Sequence, residues 1–303
     1  MSRRVSAIDI GSNAIRMMVA DINETAPLIR VDKKLRAPVR LGHDVFTTGS
    51  IGPETMDQAR STFLRFAETN KKLQVQKCRA VATSACREAK NSKDFVEMIR
   101  KVSGIDIEII DGTEEGRLIH LAVRKEVQLD GKKTMLIDIG GGSVEVTFSK
   151  GGKLLATKSF PMGTVRVLEN LSKRRMNESH LGIIMGEFLK DLGPHIYPNT
   201  ENEAVDFAIG TGGNLECIAE LKVRLLKKTP NTFVTLAELG EIIARLKAMT
   251  VKERIDKLQL RPDRADVIMP ASMLVETIMR QAEVEKIVIP AVGLRDGLIW
   301  SMV

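Results

Sequence analysis

At 303 residues with 43% hydrophobic content the chain can fill the cores of two domains of common size. No basic-apolar-cleavage pattern opens it and no apolar run approaches the ~18 residues of a membrane span, so export and membrane insertion are not expected and the cytoplasm is the expected compartment. Lysine and arginine (46) exceed aspartate and glutamate (39) for a net charge of +7, which favours polyanionic partners, while one Trp and one Tyr are too few rings for a single-strand nucleic-acid platform; a phosphate-rich small molecule or polymer fits better than a specific nucleic acid.

In chain order, residues 5–19 form an apolar run, then Asp9-Ile10-Gly11 with the small polar Ser12 and Asn13, then an alternating run, which predicts a β-hairpin. Residues 28–36 predict a strand, and 40–53 a turn-rich link closing with Gly49, Gly52 and Pro53. Pro53 suits a first helical position, and Met56, Ala59, Phe63, Phe66 and Ala67 recur at helical spacing up to Lys71 and Lys72. A buried strand is expected over 77–83, then a helix start at 83–88 where Arg87 offers a planar fork to phosphate. A helix over 94–102 and a strand over 106–110 lead to Asp111-Gly112-Thr113-Glu114-Glu115, a helix opening with two first-turn carboxylates. Asp111 with Glu114 has capping-box spacing, and adjacent helical positions diverge by about 100°, so Glu115 can face elsewhere.

Residues 123–133 read as a charged connector and the domain boundary. Beyond it, 134–148 repeats the first hairpin, with Asp138-Ile139-Gly140-Gly141-Gly142-Ser143 at its turn and Ser143 and Glu145 on one strand face. Gly151-Gly152 predicts a hairpin turn, 154–160 a strand, and Pro161-Met162-Gly163-Thr164 a turn into a helix. The Lys173-Arg174-Arg175 triplet is a solvated face, followed by a helix over 178–196, a strand over 204–209, and Gly210-Thr211-Gly212-Gly213-Asn214 opening a helix to 225. Helices are expected over 236–249, 251–258 and 264–281, a strand over 286–290, and a closing helix from Gly293. Cys78, Cys86 and Cys217 fit no metal spacing and are expected as buried reduced thiols, and His43-Asp44 as a turn.

An Asp at the same offset from the same glycine in both halves predicts two matching lips facing one ligand across a cleft, each lip a nest of N–H donors for phosphate oxygens. Asp9 and Asp138 are then placed to share a hydrated divalent cation, Mg²⁺ or another, with Glu145 as a helper. Lysines at 132, 133, 173 and 227 are the candidates for a basic path along further phosphates.

The paired loops resemble those of the acetate kinase, sugar kinase, Hsc70 and actin superfamily. The segments A-I-D-I-G-S-N-A-I-R (7–16), R-L-G-H-D-V-F-T-T-G-S-I (40–51), A-T-S-A-C-R-E-A-K-N (82–91), D-G-T-E-E-G-R-L (111–118), L-I-D-I-G-G-G-S-V-E (136–145) and G-L-R-D-G-L-I (293–299) resemble the exopolyphosphatase and guanosine pentaphosphate phosphatase family. The resemblance implies an α/β fold of two actin-like (ribonuclease H-like) lobes, each a mixed sheet flanked by helices, with the active site in the cleft between them: residues 1–125 plus 290–303, and 126–289. It implies Glu115 and Arg87 as catalytic; Gly11, Ser12, Asn13, Arg16, Gly140, Gly141, Gly142, Ser143, Gly212 and Gly213 as the phosphate-binding set; Asp9, Asp138 and Glu145 as metal ligands; Gly163 near the substrate; and a homodimer. Longer family members carry a further C-terminal helical domain, which this chain ends before. The activity implied is Mg²⁺-dependent removal of the terminal phosphate from polyphosphate or a guanosine pentaphosphate-type nucleotide. Two other readings stay open: a small-molecule kinase of the superfamily using Gly210–Gly213 for ATP, and a non-catalytic nucleotide-binding sensor.

Overall fold

The computed structural model describes residues 2–200 and 203–303. The chain divides into two compact units, Met1–Ala122 with Leu294–Val303, and Val123–Gly293.

The first unit opens with β1 (Arg3–Ile10) and β2 (Ile15–Ile22), a hairpin pairing Asp9 with Arg16 and Ile10 with Ile15. Both strands are buried along nearly their whole length, as their continuous apolar runs require of strands covered on both faces. β3 (Ile29–Ala37) pairs antiparallel with β2 at the sheet edge and is mostly exposed, its Arg30, Asp32, Lys33 and Lys34 blunting that edge. The segment from 40 to 53 is not a turn-rich link: Leu41–Thr48 forms α1, because Leu41 and Val45 one turn apart bury together with Phe46, and Gly49 caps the helix at φ 87° with its N–H on the Val45 carbonyl. His43 and Asp44 therefore lie in a helix, where Asp44 Oδ2 accepts from Gly52 N–H at 2.9 Å. α2 (Pro53–Lys72) buries Ala59, Thr62, Phe63 and Phe66. β4 (Lys77–Ala82) runs parallel to β1, buried only in its second half, and Cys78 is exposed rather than buried because it lies in the first. α3 (Ser84–Glu88), α4 (Ser92–Ser103) and β5 (Ile107–Ile109), parallel to β4, follow. The sheet order is β3-β2-β1-β4-β5.

The expected connector at 123–133 begins as helix, since α5 (Gly112–Glu126) continues its apolar stripe of Leu118, Ile119 and Ala122 into Val123, which is fully buried. The second unit then repeats the first one's plan. β6 (Lys133–Ile139) and β7 (Val144–Lys150) form a hairpin pairing Asp138 with Glu145, and β8 (Lys153–Phe160) follows a two-glycine turn in which Gly151 and Gly152 both take positive φ. α6 (Thr164–Lys173), a short 3₁₀ turn at Glu178–His180 and α7 (Leu181–Thr200) lead to β9 (Phe207–Thr211), parallel to β6. The strand thus takes in Gly210 and Thr211, which the sequence placed in a helix start. α8 (Gly212–Leu221) ends in a π-helical turn, Lys222–Leu226. β10 (Phe233–Thr235), which the sequence reading missed, α9 (Leu236–Lys247), α10 (Val251–Leu258), α11 (Pro262–Ala265), α12 (Ile268–Gln281) and β11 (Lys286–Val288) complete the unit. Its sheet order is β8-β7-β6-β9-β11-β10, the order of the first sheet with one strand added. The closing helix α13 (Leu294–Trp300) belongs to the first unit, where a Cβ on Gly297 would stand 2.0 Å from the Leu118 carbonyl oxygen. Among the described residues no helix is long and apolar enough to cross a membrane.

Candidate active site

In the first unit the turn between β1 and β2 is four residues, closed by Gly11 N–H on the Ala14 carbonyl at 3.2 Å. Asp9, Ser12 and Asn13 are buried. Ser12 Oγ meets Ser84 Oγ at 2.9 Å, its carbonyl accepts from Gly42 N–H at 2.8 Å, and Asn13 Oδ1 accepts from Arg40 Nε at 2.8 Å. Arg16 sits directly across the hairpin from Asp9, with Nη1 3.5 Å from Asp9 Oδ2. Asp9 thus faces a cation of its own hairpin.

Arg87 lies in α3, whose five residues give little dipole, so the guanidinium itself is the anion-attracting part of this segment. Arg87 Nη1 donates to the Ile110 carbonyl at 2.6 Å and Ile110 N–H to Ala82 at 3.0 Å, which ties α3 to the segment entering α5. At the start of α5, Asp111 Oδ1 accepts from Glu114 N–H at 2.8 Å, and the two carboxylates diverge as helical geometry dictates. Glu114 is held in a fork by Arg117 at 2.6 and 2.8 Å, and those bonds lower its pKa. Glu115 is buried, 6% exposed.

In the second unit the turn at 140–143 has the same closure, Gly140 N–H to the Ser143 carbonyl at 3.0 Å. Asp138 is half-buried and accepts from Thr211 Oγ1 at 2.6 Å. Gly212, at φ 82°, leaves room beside it: a Cβ there would stand 2.9 Å from Asp138 Oδ1. Gly212 thus borders the metal-ligand candidate, while Gly213 enters the first turn of α8. Asn214, of unassigned role in the sequence, donates from Nδ2 to the Ile139 carbonyl at 2.7 Å and accepts from Arg264 Nη1, clipping the end of β6. Glu145 is 1% exposed and accepts from Ser159 Oγ at 2.6 Å, and Ser143, the last residue of the turn, is buried as well. Gly163 packs against the turn so closely that a Cβ would fall 2.2 Å from Gly142 N.

Equivalent positions of the two hairpins therefore carry different charge. Asp9 faces Arg16, whereas Asp138 faces Glu145, their carboxylate oxygens within 4.8 Å of each other. Two carboxylates this close and this buried call for a cation between them, and an all-oxygen donor set suits a hard divalent ion such as Mg²⁺. The residues present fit that ion. Two residues of the expected basic path are engaged elsewhere: Lys132 pairs with Asp206 and Lys133 Nζ donates to the Glu203 carbonyl at 2.8 Å, both at the opposite end of β6 from Asp138. Thr211, Ser159, Arg40 and Arg166 were not singled out in the sequence. Strand pairing would have pointed to Thr211, which is opposite Asp138 in the parallel register.

One such hairpin in each of two mixed sheets, its turn closed by the glycine two residues after the aspartate, defines the actin-like class of α/β proteins. Within that class the chain matches the model of the Ppx/GppA phosphatase family over residues 18–303 and belongs to that family. It is 27% identical over 300 residues to exopolyphosphatase 1 of Mycobacterium tuberculosis, covering 98% of this chain and 87% of that one. It is also 27% identical over 299 residues to the guanosine-5'-triphosphate,3'-diphosphate pyrophosphatase of Vibrio campbellii, spanning 98% of this chain but 59% of that longer one. Among solved structures, an exopolyphosphatase from Cytophaga hutchinsonii superposes with a TM-score of 0.89 at 25% identity over 99% of this chain and 97% of that one, and the Aquifex aeolicus family member with 0.81 at 25% over 100% and 98%.

Proposed function

We propose that this phosphohydrolase releases the terminal phosphate of inorganic polyphosphate or of a guanosine pentaphosphate-type nucleotide, both of which present a terminal phosphoanhydride to the same turns. The observation that carries the reading is the carboxylate pair Asp138 and Glu145 beside a phosphate-cradling turn. A divalent cation held there, with Asp9 contributing, supplies charge to offset the phosphate oxygens. Main-chain N–H groups of Ser12, Asn13, Gly141, Gly142 and Ser143 bind the terminal phosphate, and those of Gly141 and Gly142 lie in a turn whose carbonyls are taken by the start of α6. Arg16 and Arg87 add cationic donors to the phosphate chain. Glu115 accepts a hydrogen bond from the attacking water and directs it in line at phosphorus, with the departing phosphate chain as leaving group.

The kinase reading loses its main support, because Gly212 is accounted for by its closeness to Asp138. Phosphate release from long-chain polyphosphate, guanosine pentaphosphate and ATP, compared side by side with Mg²⁺ and with a chelator, tests the proposal. The expected result is release from the first two, faster than from ATP, and none with chelator. Transfer of the ATP phosphate to an acceptor without phosphate release would establish the kinase instead.

A further inference from the structure

In each unit the helix that follows the third strand of the sheet grips the hairpin turn from behind. In the second unit three successive carbonyls of the turn are taken by the first turn of α6: Gly140 accepts from Thr164 N–H at 3.0 Å, and Gly141 from Val165 and Arg166 N–H at 2.8 and 3.1 Å. The third, Gly142, accepts from Arg166 Nε at 2.8 Å. In the first unit the start of α1 and the residue before it hold the turn with fewer bonds: Gly42 N–H donates to the Ser12 carbonyl, and Arg40 Nε donates to the side-chain Asn13 Oδ1. Each turn is thus held by main-chain donors at a helix start and by one arginine Nε.

The consequence follows from the planarity of the trans peptide, in which N–H and C=O point to opposite sides. Once the carbonyls of 140, 141 and 142 are drawn toward α6, the N–H groups of Gly141, Gly142 and Ser143 must point away from it. Those are the donors assigned to phosphate. Were the peptides free to flip, carbonyl oxygens would repel the anion they are meant to hold. The absence of side chains that permits the close approach at Gly163 also leaves the 140–142 peptides without steric restraint of their own.

We infer that Arg166 and Arg40 are positioning residues that fix the peptide orientation of the two phosphate turns, Arg166 through the Gly142 carbonyl and Arg40 through the Asn13 side chain. The inference rests on the phosphate-binding reading above. It assigns to the Arg40 segment and to Arg166 a role through the turn, and none by direct contact with the substrate.

The amide nitrogen of a glutamine lies the same number of bonds from Cα as arginine Nε, so Arg166→Gln keeps the donor and loses the charge. Arg166→Met keeps the stem alone, and Arg166→Lys keeps the charge with its donor displaced by one atom. We expect Arg166→Met to raise KM for polyphosphate about 5- to 10-fold, the size of one net hydrogen bond, with kcat within about 2-fold of the parent. Arg166→Gln should raise KM by no more than about 2-fold, with Arg166→Lys nearer to Met. Amide hydrogen exchange at Thr164 and Val165, whose N–H groups hold the turn, should quicken about 5-fold or more in the Met variant and little in the Gln variant. Arg40→Met against Arg40→Gln should repeat the pattern. A lysine variant equal to the parent beside a glutamine variant as poor as methionine would overturn the inference, because the charge would then act directly on substrate. So would parental KM and exchange in all three variants, or equal impairment with unaltered exchange. If the parent releases phosphate from none of the substrates, the functional reading fails, while the exchange comparison still decides the clamp.

Discussion

Glu114 and Glu115 are neighbours in sequence with opposite surroundings, and that contrast sets the first prediction. Glu114 spends its carboxylate on Arg117, whereas Glu115 is buried. Glu115→Gln keeps shape and some hydrogen bonding but removes proton acceptance, so turnover should fall at least ~10²-fold with polyphosphate binding nearly unchanged. Glu114→Gln should cost on the order of 1 kcal/mol or less of stability and little turnover; single-turnover kinetics and thermal melts separate the two, and swapped behaviours would move the assignment to Glu114. A second residue-scale expectation concerns Asp21, which accepts from Arg4 Nε at 2.7 Å and from Arg30 at 2.9 Å. Its bond to Arg4, then that to Arg30, hold its pKa down at about 2 against an ordinary 3.8. Because the folded value is depressed, the stabilisation is present above the ordinary value and is lost as pH falls toward 2. Asp21→Asn should therefore melt below the parent at neutral pH, and the gap should close over the interval from about pH 4 to pH 2.

The start of α6 is set by its contact with the turn more than by its own sequence. Gly163 takes the N-cap position with no side-chain cap, and the donors of the first turn find their partners in the carbonyls of 140 and 141. Gly163→Ala would put a Cβ 2.2 Å from Gly142 N, a backbone atom that cannot yield without moving the turn. Activity should fall at least about 10-fold, with faster exchange at Thr164 and Val165, while far-ultraviolet circular dichroism stays close to the parent. Full activity would show that the helix can shift without the turn. Register shows the same dependence on neighbours. The glycine turn pairs Lys150 with Lys153, a count that continued down the hairpin would set Lys158 opposite Glu145. A shift between Phe148 and Ser149 moves the pairing by one and places Ser159 there instead, so Glu145 receives a hydroxyl donor where simple counting gives an ammonium.

At the scale of the whole chain, the last ten residues complete the first unit. Leu298 and Ile299 are fully buried, Met302 nearly so, and Arg3 Nη2 bonds to the Met302 carbonyl. Deleting residues 294–303 should lower the melting temperature of that unit by about 10 °C or more, given ~1.5–3 kcal/mol for each large buried side chain, and should expose sites within residues 1–122 to limited proteolysis before those of the second unit. An unchanged melt and digestion pattern would remove the helix from the unit's core. The duplication itself was legible in the sequence, because an aspartate-glycine turn between two apolar runs is local chemistry: strand propensity, turn residues and their spacing lie within fifteen positions of one another. Periodicity likewise fixed α2, α4 and α12, each to within a few residues, from stripes such as Ala59, Phe63 and Phe66. The same local rules misjudged 40–53, where glycines suggested turns but one of them serves as the helix cap, and they missed β10, three residues long and held by pairing with β11. The partners that surround the two aspartates were decided by how the strands pair and the helices pack. Asp9 and Asp138 are alike in sequence, yet cross-strand pairing gives one an arginine and the other a glutamate, and long-range contacts supply Thr211, Ser159 and the two arginines behind the turns. Partners of that kind are separated by up to 73 positions, and only the stacking of strands and helices brings them within hydrogen-bond reach.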